Sequence, residues 1–132
     1  MADLKQQIIL VDDNKINTLV LKMMLRKWED LFAFAELENA SGLLQLINES
    51  EYRKILVFLD LQMPIMDGYT FLNIWEKEKQ YSNKQVSIVV VSATELSVFK
   101  KDGPYQLLQD YLMKPVDAEE LENAMNTFIN VK

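Results

Sequence analysis

Ile55-Leu56-Val57-Phe58-Leu59-Asp60 carries five apolar residues straight into a carboxylate. A run that short cannot make a buried helix, but consecutive apolar positions without alternation suit a strand covered on both faces. Gln7 to Val11 ends the same way, in Asp12 and Asp13, and Val86 to Val91 ends at Ser92. Phe32 to Glu36 is a fourth run, apolar but closed by acid, which places it at an edge. Tyr111-Leu112-Met113, followed by Lys114-Pro115, is the fifth and shortest.

Between these runs the period changes from strand to helix, which is the pattern of repeated βαβ units around a parallel sheet. Ile16, Leu19, Val20, Met23, Met24 and Lys27-Trp28 repeat at i, i+3, i+4 and i+7, predicting a helix that lays this stripe against the sheet. Leu43, Leu44, Leu46 and Ile47 predict a second, shorter helix, and 68–81 a third with Phe71, Leu72 and Trp75 inward and Glu76-Lys77-Glu78-Lys79 solvated. Asp117 with Glu120 three residues on marks the start of a last helix that buries Leu121, Ala124, Met125 and Phe128. Thr94 to Lys101 reads as a short or distorted helix, interrupted by Asp102-Gly103-Pro104. The remaining methionines read as core or loop filler, and Trp28 and Trp75 as partly buried.

At 132 residues the chain has the size of one domain, here expected over 1–132 with a core of about 7–131. The absence of Cys removes thiolate metal sites and cysteine nucleophiles, and the absence of His removes imidazole acid–base chemistry. A net charge of −6 argues against nucleic-acid binding, which depends on clustered Lys and Arg. No stretch has the length of apolar sequence that spans a bilayer, and the N-terminus lacks a signal-peptide plan, so the expected location is the cytoplasm.

In a parallel sheet the carboxyl ends of the strands form the ligand crevice. Asp12, Asp13, Asp60 and Lys114 would therefore converge there. Each aspartate alone also reads as a helix cap or a solvated loop residue. Together they form an all-oxygen set that suits a divalent cation such as Mg²⁺, which keeps several waters and attracts phosphate. Lys114 offers a point charge to a phosphoryl oxygen and Ser92 a hydroxyl donor, though Ser92 taken singly reads equally as a capping serine. Asp60, alone at the end of its strand, is the natural nucleophile for an aspartyl phosphate. With no histidine in the chain, the phosphoryl group must come from elsewhere.

Four blocks, Ile8-Ile9-Leu10-Val11-Asp12-Asp13-Asn14, Phe58-Leu59-Asp60-Leu61-Gln62-Met63-Pro64-Ile65-Met66-Asp67-Gly68, Val89-Val90-Val91-Ser92-Ala93 and Asp110-Tyr111-Leu112-Met113-Lys114-Pro115, resemble in order and spacing the signature blocks of response-regulator receiver domains, most closely those of hybrid sensor histidine kinases. The resemblance covers nearly the whole chain. It implies a (βα)5 flavodoxin-like, doubly wound five-stranded parallel sheet in the order 2-1-3-4-5. It also implies that Asp60 accepts a phosphoryl group from a partner histidine kinase or histidine phosphotransfer protein. Asp13, Asp60 and the Gln62 carbonyl would ligate Mg²⁺, with Asp12 holding it mainly through water. Lys114, whose bond to Pro115 is usually cis in relatives, would pair with the phosphoryl group, and Ser92 and Tyr111 would switch conformation. Tyr111 also reads as an ordinary core aromatic.

Relatives commonly carry Gly-Ala before the last strand, where this chain has Leu107-Leu108-Gln109, so the output face beside that strand is expected to be reshaped. Gln62 and Thr94 match positions that flank the phosphoryl group and influence its lifetime. The resemblance leaves room for a phosphorylation-dependent dimer. These 132 residues leave no room for an output module, so the chain reads either as a single-domain regulator or as part of a larger kinase. Two other classes compete. A phosphohydrolase of the haloacid dehalogenase type would place a second Asp where Gln62 stands, and a phosphorylation-independent interaction module would not require Asp12, Asp13, Asp60, Ser92 and Lys114 together. A flavin site fails because Asp12-Asp13 would repel the ligand phosphate.

Overall fold

A computed structural model describes residues 6–61, 68–78, 82–93 and 108–130. Five strands, β1 (Gln6–Val11), β2 (Phe32–Leu37), β3 (Lys54–Asp60), β4 (Gln85–Ser92) and β5 (Leu108–Met113), form one parallel sheet in the order β2-β1-β3-β4-β5. Four helices are described: α1 (Lys15–Met24), α2 (Leu43–Glu49), α3 (Gly68–Glu78) and α4 (Ala118–Asn130). The expected order 2-1-3-4-5 is found, with the acid-tipped β2 at an edge.

Alternation along each strand sends side chains to two separate cores. Ile9, Val11, Ile55, Val57, Leu59, Ile88 and Val90 meet Leu43, Ile47, Phe71, Leu72 and Trp75 from α2 and α3. On the other face, Ile8, Leu10, Leu56, Phe58, Val89 and Val91 meet Leu25, Trp28, Leu121, Met125 and Phe128. The continuous apolar runs of β1, β3 and β4 follow directly from burial on both faces. The inward residues expected of α2, α3 and α4 are found: Leu43 and Ile47 are buried with Leu44 and Leu46 packed alongside, as are Phe71, Leu72 and Trp75, and Leu121, Ala124, Met125 and Phe128.

Helix starts are set by local chemistry. Asn14 Oδ1 accepts from Ile16 N at 2.9 Å and Asn17 N at 3.2 Å, which starts α1 immediately behind Asp12 and Asp13. Asp117 Oδ1 accepts from Glu119 N at 2.9 Å, and Glu119 and Glu120 in the first turn of α4 suit the positive end of its dipole.

The structure corrects the reading of α1. Ile16, Leu19, Val20 and Met23, expected to face the sheet, are 72%, 57%, 49% and 62% exposed. Thr18 is buried and Leu21 and Met24 half-buried, while Leu25 and Trp28, just beyond the helix, complete the inward face. The Asn14 cap fixes where the helix begins and therefore its rotation, so the apolar stripe lies outward. Met23 is accordingly exposed rather than core filler, Met113 at the end of β5 is also exposed, and both tryptophans are buried rather than partly so. β5 begins at Leu108, three residues before the expected start, beyond a register irregularity between Ile88 and Val89 of β4. The expected helix over Thr94–Lys101, and Met63, Met66 and Lys79, lie outside the described residues.

Candidate functional site

Parallel strands put all their carboxyl ends at one edge, and β1 and β3 flank the point where the connections turn to opposite sides of the sheet. Val11 pairs with Leu59 across these two strands, so Asp12 and Asp60 extend side by side. Asp60 pairs on its other flank with Val91, which brings Ser92 to the same rim. Ser92 pairs with Met113, and Lys114 N donates to Ser92 O at 2.8 Å, carrying the lysine to the cleft.

One carboxylate oxygen from each of Asp12, Asp13 and Asp60 lies within 4.8 Å of the others. Asp60 is buried, Asp12 half-buried and Asp13 exposed. Lys114 Nζ stands 3.3 Å from Asp12 Oδ2 and 3.6 Å from Asp60 Oδ1, bridging the two. Asp12 Oδ1 also accepts from Asn14 N at 2.8 Å, so the turn that starts α1 also orients this acid. Two like charges at that spacing near a surface repel by roughly 3 kcal/mol at an effective dielectric of about 20. Among the described residues one ammonium leaves two negative charges over, and a hard cation with oxygen ligands fits the remainder.

Ser92 is buried at the end of β4, and Tyr111 is half-buried, packed against the core on the α2–α3 face. The Lys114–Pro115 bond is cis, as the resemblance implies. Gln62 and Thr94 lie outside the described residues. Thus Asp12, Asp13, Asp60, Lys114 and Ser92 reach one rim, with Tyr111 paired to Val90 two strand positions short of Met113, the partner of Ser92.

Gly68 is a contributor that the sequence marked only as the start of the third helix and the end of a signature block. Its N–H donates to Leu61 O at 2.9 Å, and a Cβ there would lie 2.6 Å from the Asp60 carbonyl oxygen and 2.8 Å from Leu61 Cα. α3 can therefore begin directly against the backbone that carries Asp60 only because position 68 has no side chain. The signal was the Asp67-Gly68 pair, but close approach and turn look alike in one sequence.

A five-stranded parallel sheet in this order, with an acid cleft and a lysine at its switch point, defines a doubly wound α/β domain whose candidate site lies at the carboxyl ends of its strands. The chain belongs to the response regulator receiver domain family, whose model matches residues 8–126, and is a receiver domain of two-component signal transduction. It is 30% identical over 122 residues to hybrid signal transduction histidine kinase A of Dictyostelium discoideum and 32% identical over 129 residues to kinase L of the same organism. Each alignment covers 92% of this chain but only 6% and 7% of those proteins. Among solved structures it resembles the receiver domain of Ssk1 in its co-crystal with the histidine phosphotransfer protein Ypd1 of Saccharomyces cerevisiae. The TM-score is 0.73 at 26% identity, covering 94% of this chain and 88% of that one. Membership in a family of signalling domains is consistent with the signalling reading rather than with the phosphohydrolase alternative.

Proposed function

We propose that residues 1–132 act as a single phosphoaccepting unit in which Asp60 takes a phosphoryl group from a phosphohistidine on a partner kinase or phosphotransfer protein. The observation that carries this reading is the meeting of Asp60 with Asp12, Asp13 and Lys114 at the ends of the central strands. An Asp60 carboxylate oxygen attacks phosphorus while the bond from phosphorus to the donor imidazole nitrogen breaks, and the nitrogen keeps the electron pair. Mg²⁺, held by Asp12, Asp13, Asp60 and the Gln62 carbonyl, would neutralise charge on the transferring group. Lys114, already 3.6 Å from Asp60, pairs with a phosphoryl oxygen, so the ammonium exchanges one anionic partner for another.

The new charge then draws the Ser92 hydroxyl toward it and shifts Tyr111, and this change of conformation is the output. The donor docks on the outward stripe of Ile16, Leu19, Val20 and Met23, which borders the cleft and offers apolar surface to a helical partner. The neighbour that holds a receiver against a phosphotransfer protein supports a partner of this kind.

The test is intact-mass spectrometry after incubation with Mg²⁺ and acetyl phosphate. One phosphoryl adduct is expected, lost in Asp60→Asn and lost on adding EDTA. An adduct that survives Asp60→Asn would overturn the assignment. Lys114→Ala should still fold but leave the NMR spectrum nearly unmoved by beryllofluoride.

A further inference from the structure

α1 turns its bulk outward, and this leaves a space on its inner side. Where the helix borders the cavity over Leu10 and Phe58, its lining includes Thr18 beside Leu21 and Met24, and the short Thr18 side chain bonds back to Asn14 O at 3.3 Å. The result is a cavity of about 390 Å³ between α1 and the Lys114–Val116 turn. Its size falls within the range of roughly 300 to 1,000 Å³ typical of small-molecule sites.

The chemistry of the cavity is two-sided. Its floor and walls are apolar, with Leu10, Phe58, Val91, Leu21 and Val116 among them. Among the described residues the charged lining consists of Asp12 and Lys114, at the end shared with the acid cleft. Among the described residues that cleft holds three carboxylates against one ammonium, so the open end favours a cation. An apolar wall with a negatively biased mouth matches a flat hydrocarbon ring carrying an amine on a short chain.

We propose that this cavity binds a small amphiphilic amine, with its ring against Leu10 and Phe58 and its ammonium on Asp12. The ligand ammonium would take the Asp12 oxygen that Lys114 now holds at 3.3 Å, leaving Lys114 with Asp60. Amine and divalent cation then draw on the same carboxylate and weaken each other reciprocally. Binding stands on the cavity alone, while its effect on phosphorylation rests on the function proposed above.

Tryptamine is a suitable probe, followed by backbone amide NMR, with indole-3-propionate as the same ring bearing the opposite charge. Tryptamine should give saturable shifts at Leu21, Val91 and Val116 with a dissociation constant on the order of 1 mM or below. Indole-3-propionate should bind at least about tenfold more weakly, and saturating Mg²⁺ should weaken tryptamine about fivefold or more, within the usual range of coupling between sites. Thr18→Met should fill the space and abolish the shifts in a protein whose spectrum remains folded.

The comparison of amine, acid and Mg²⁺ needs no variant. Equal binding of the two indoles or the absence of saturation would overturn the proposal, and where Mg²⁺ itself shifts the amides of Asp12 and Asp13, insensitivity of tryptamine binding to it would overturn the placement of the ammonium on Asp12. Shifts confined to Leu19 and Met23 would overturn the proposal as well, since they would place the probe on the outer stripe and not in the cavity. Because the readout is binding, an unphosphorylatable Asp60 would leave these results standing and a failed titration would leave the phosphoacceptor reading standing.

Discussion

Replacing Gly68 with alanine should damage the fold and the site together, by an amount the geometry sets. The added Cβ would meet the Asp60 carbonyl oxygen at 2.6 Å, Leu61 Cα at 2.8 Å and Leu61 Cδ2 at 3.0 Å. To reach the 3.4 Å at which ordinary contact begins, the first gap must open by about 0.8 Å and the second by about 0.6 Å. Two of the three obstacles are backbone of the central strand's end, so no rotamer change can relieve them. Overpacking of this kind costs typically 1 to 3 kcal/mol. For a domain of this length that lowers the melting temperature by on the order of 5 to 10 °C. The displaced backbone carries the Asp60 carboxylate, and a misplacement approaching 1 Å can slow a reaction by about 100-fold.

Gly42→Ala is the internal control. It stands before α2 at φ −100°, and an added Cβ there meets nothing within 4 Å. It should be neutral, or stabilising by up to about 1 kcal/mol through the unfolded chain. Urea denaturation of both variants, with phosphorylation rate by mass spectrometry, separates the cases. If Gly68→Ala matches Gly42→Ala in stability and labels at the native rate, the close approach of α3 to Asp60 is not what position 68 is for.

Lys84→Met should cost about 1 to 3 kcal/mol, because the ammonium donates to Ile47 O at 2.9 Å, Asn48 O at 3.3 Å and Ser50 O at 2.7 Å at the C-terminal end of α2. Hydrogen exchange should then quicken in α2 more than in α4, and equal quickening would refute a local role. The double substitution Leu19→Ser with Met23→Ser should change stability by no more than about 0.5 kcal/mol per site, since both side chains are mostly exposed. Its affinity for a histidine phosphodonor should fall about tenfold or more, read by titration calorimetry, and unaltered affinity would remove the stripe from docking.

The sheet was legible because strands buried on both faces must be apolar throughout, as in β1, β3 and β4. The cleft was legible because Asp12, Asp13, Asp60 and Lys114 each stand at or just past the end of a strand. The side of α1 was not, because period reveals that a stripe exists but not what it faces. Ile16, Leu19, Val20 and Met23 follow the pattern of a core contact yet stay about half or more exposed, while the Asn14 cap and the burial of Leu25 and Trp28 go with the opposite side turned inward. The start of β5 was hidden because Leu108-Gln109-Asp110 lacks the apolar run of a strand, and pairing with β4 supplies its order. Lys84 gave no signal, since its three acceptors lie 34 to 37 residues away.

Asp60 ends a strand held on both flanks, by β1 and β4, whereas Asp12, Asp13 and Lys114 stand in the turns beyond their strands. Native proteins come apart in pieces, with turns giving way at far lower free energy than central strands. The carboxylate that accepts would thus stay seated long after the groups that serve it had loosened. Heat or mild denaturant should silence this domain while its sheet is still whole, so inactivation would precede melting and leave a competent scaffold to recover on cooling.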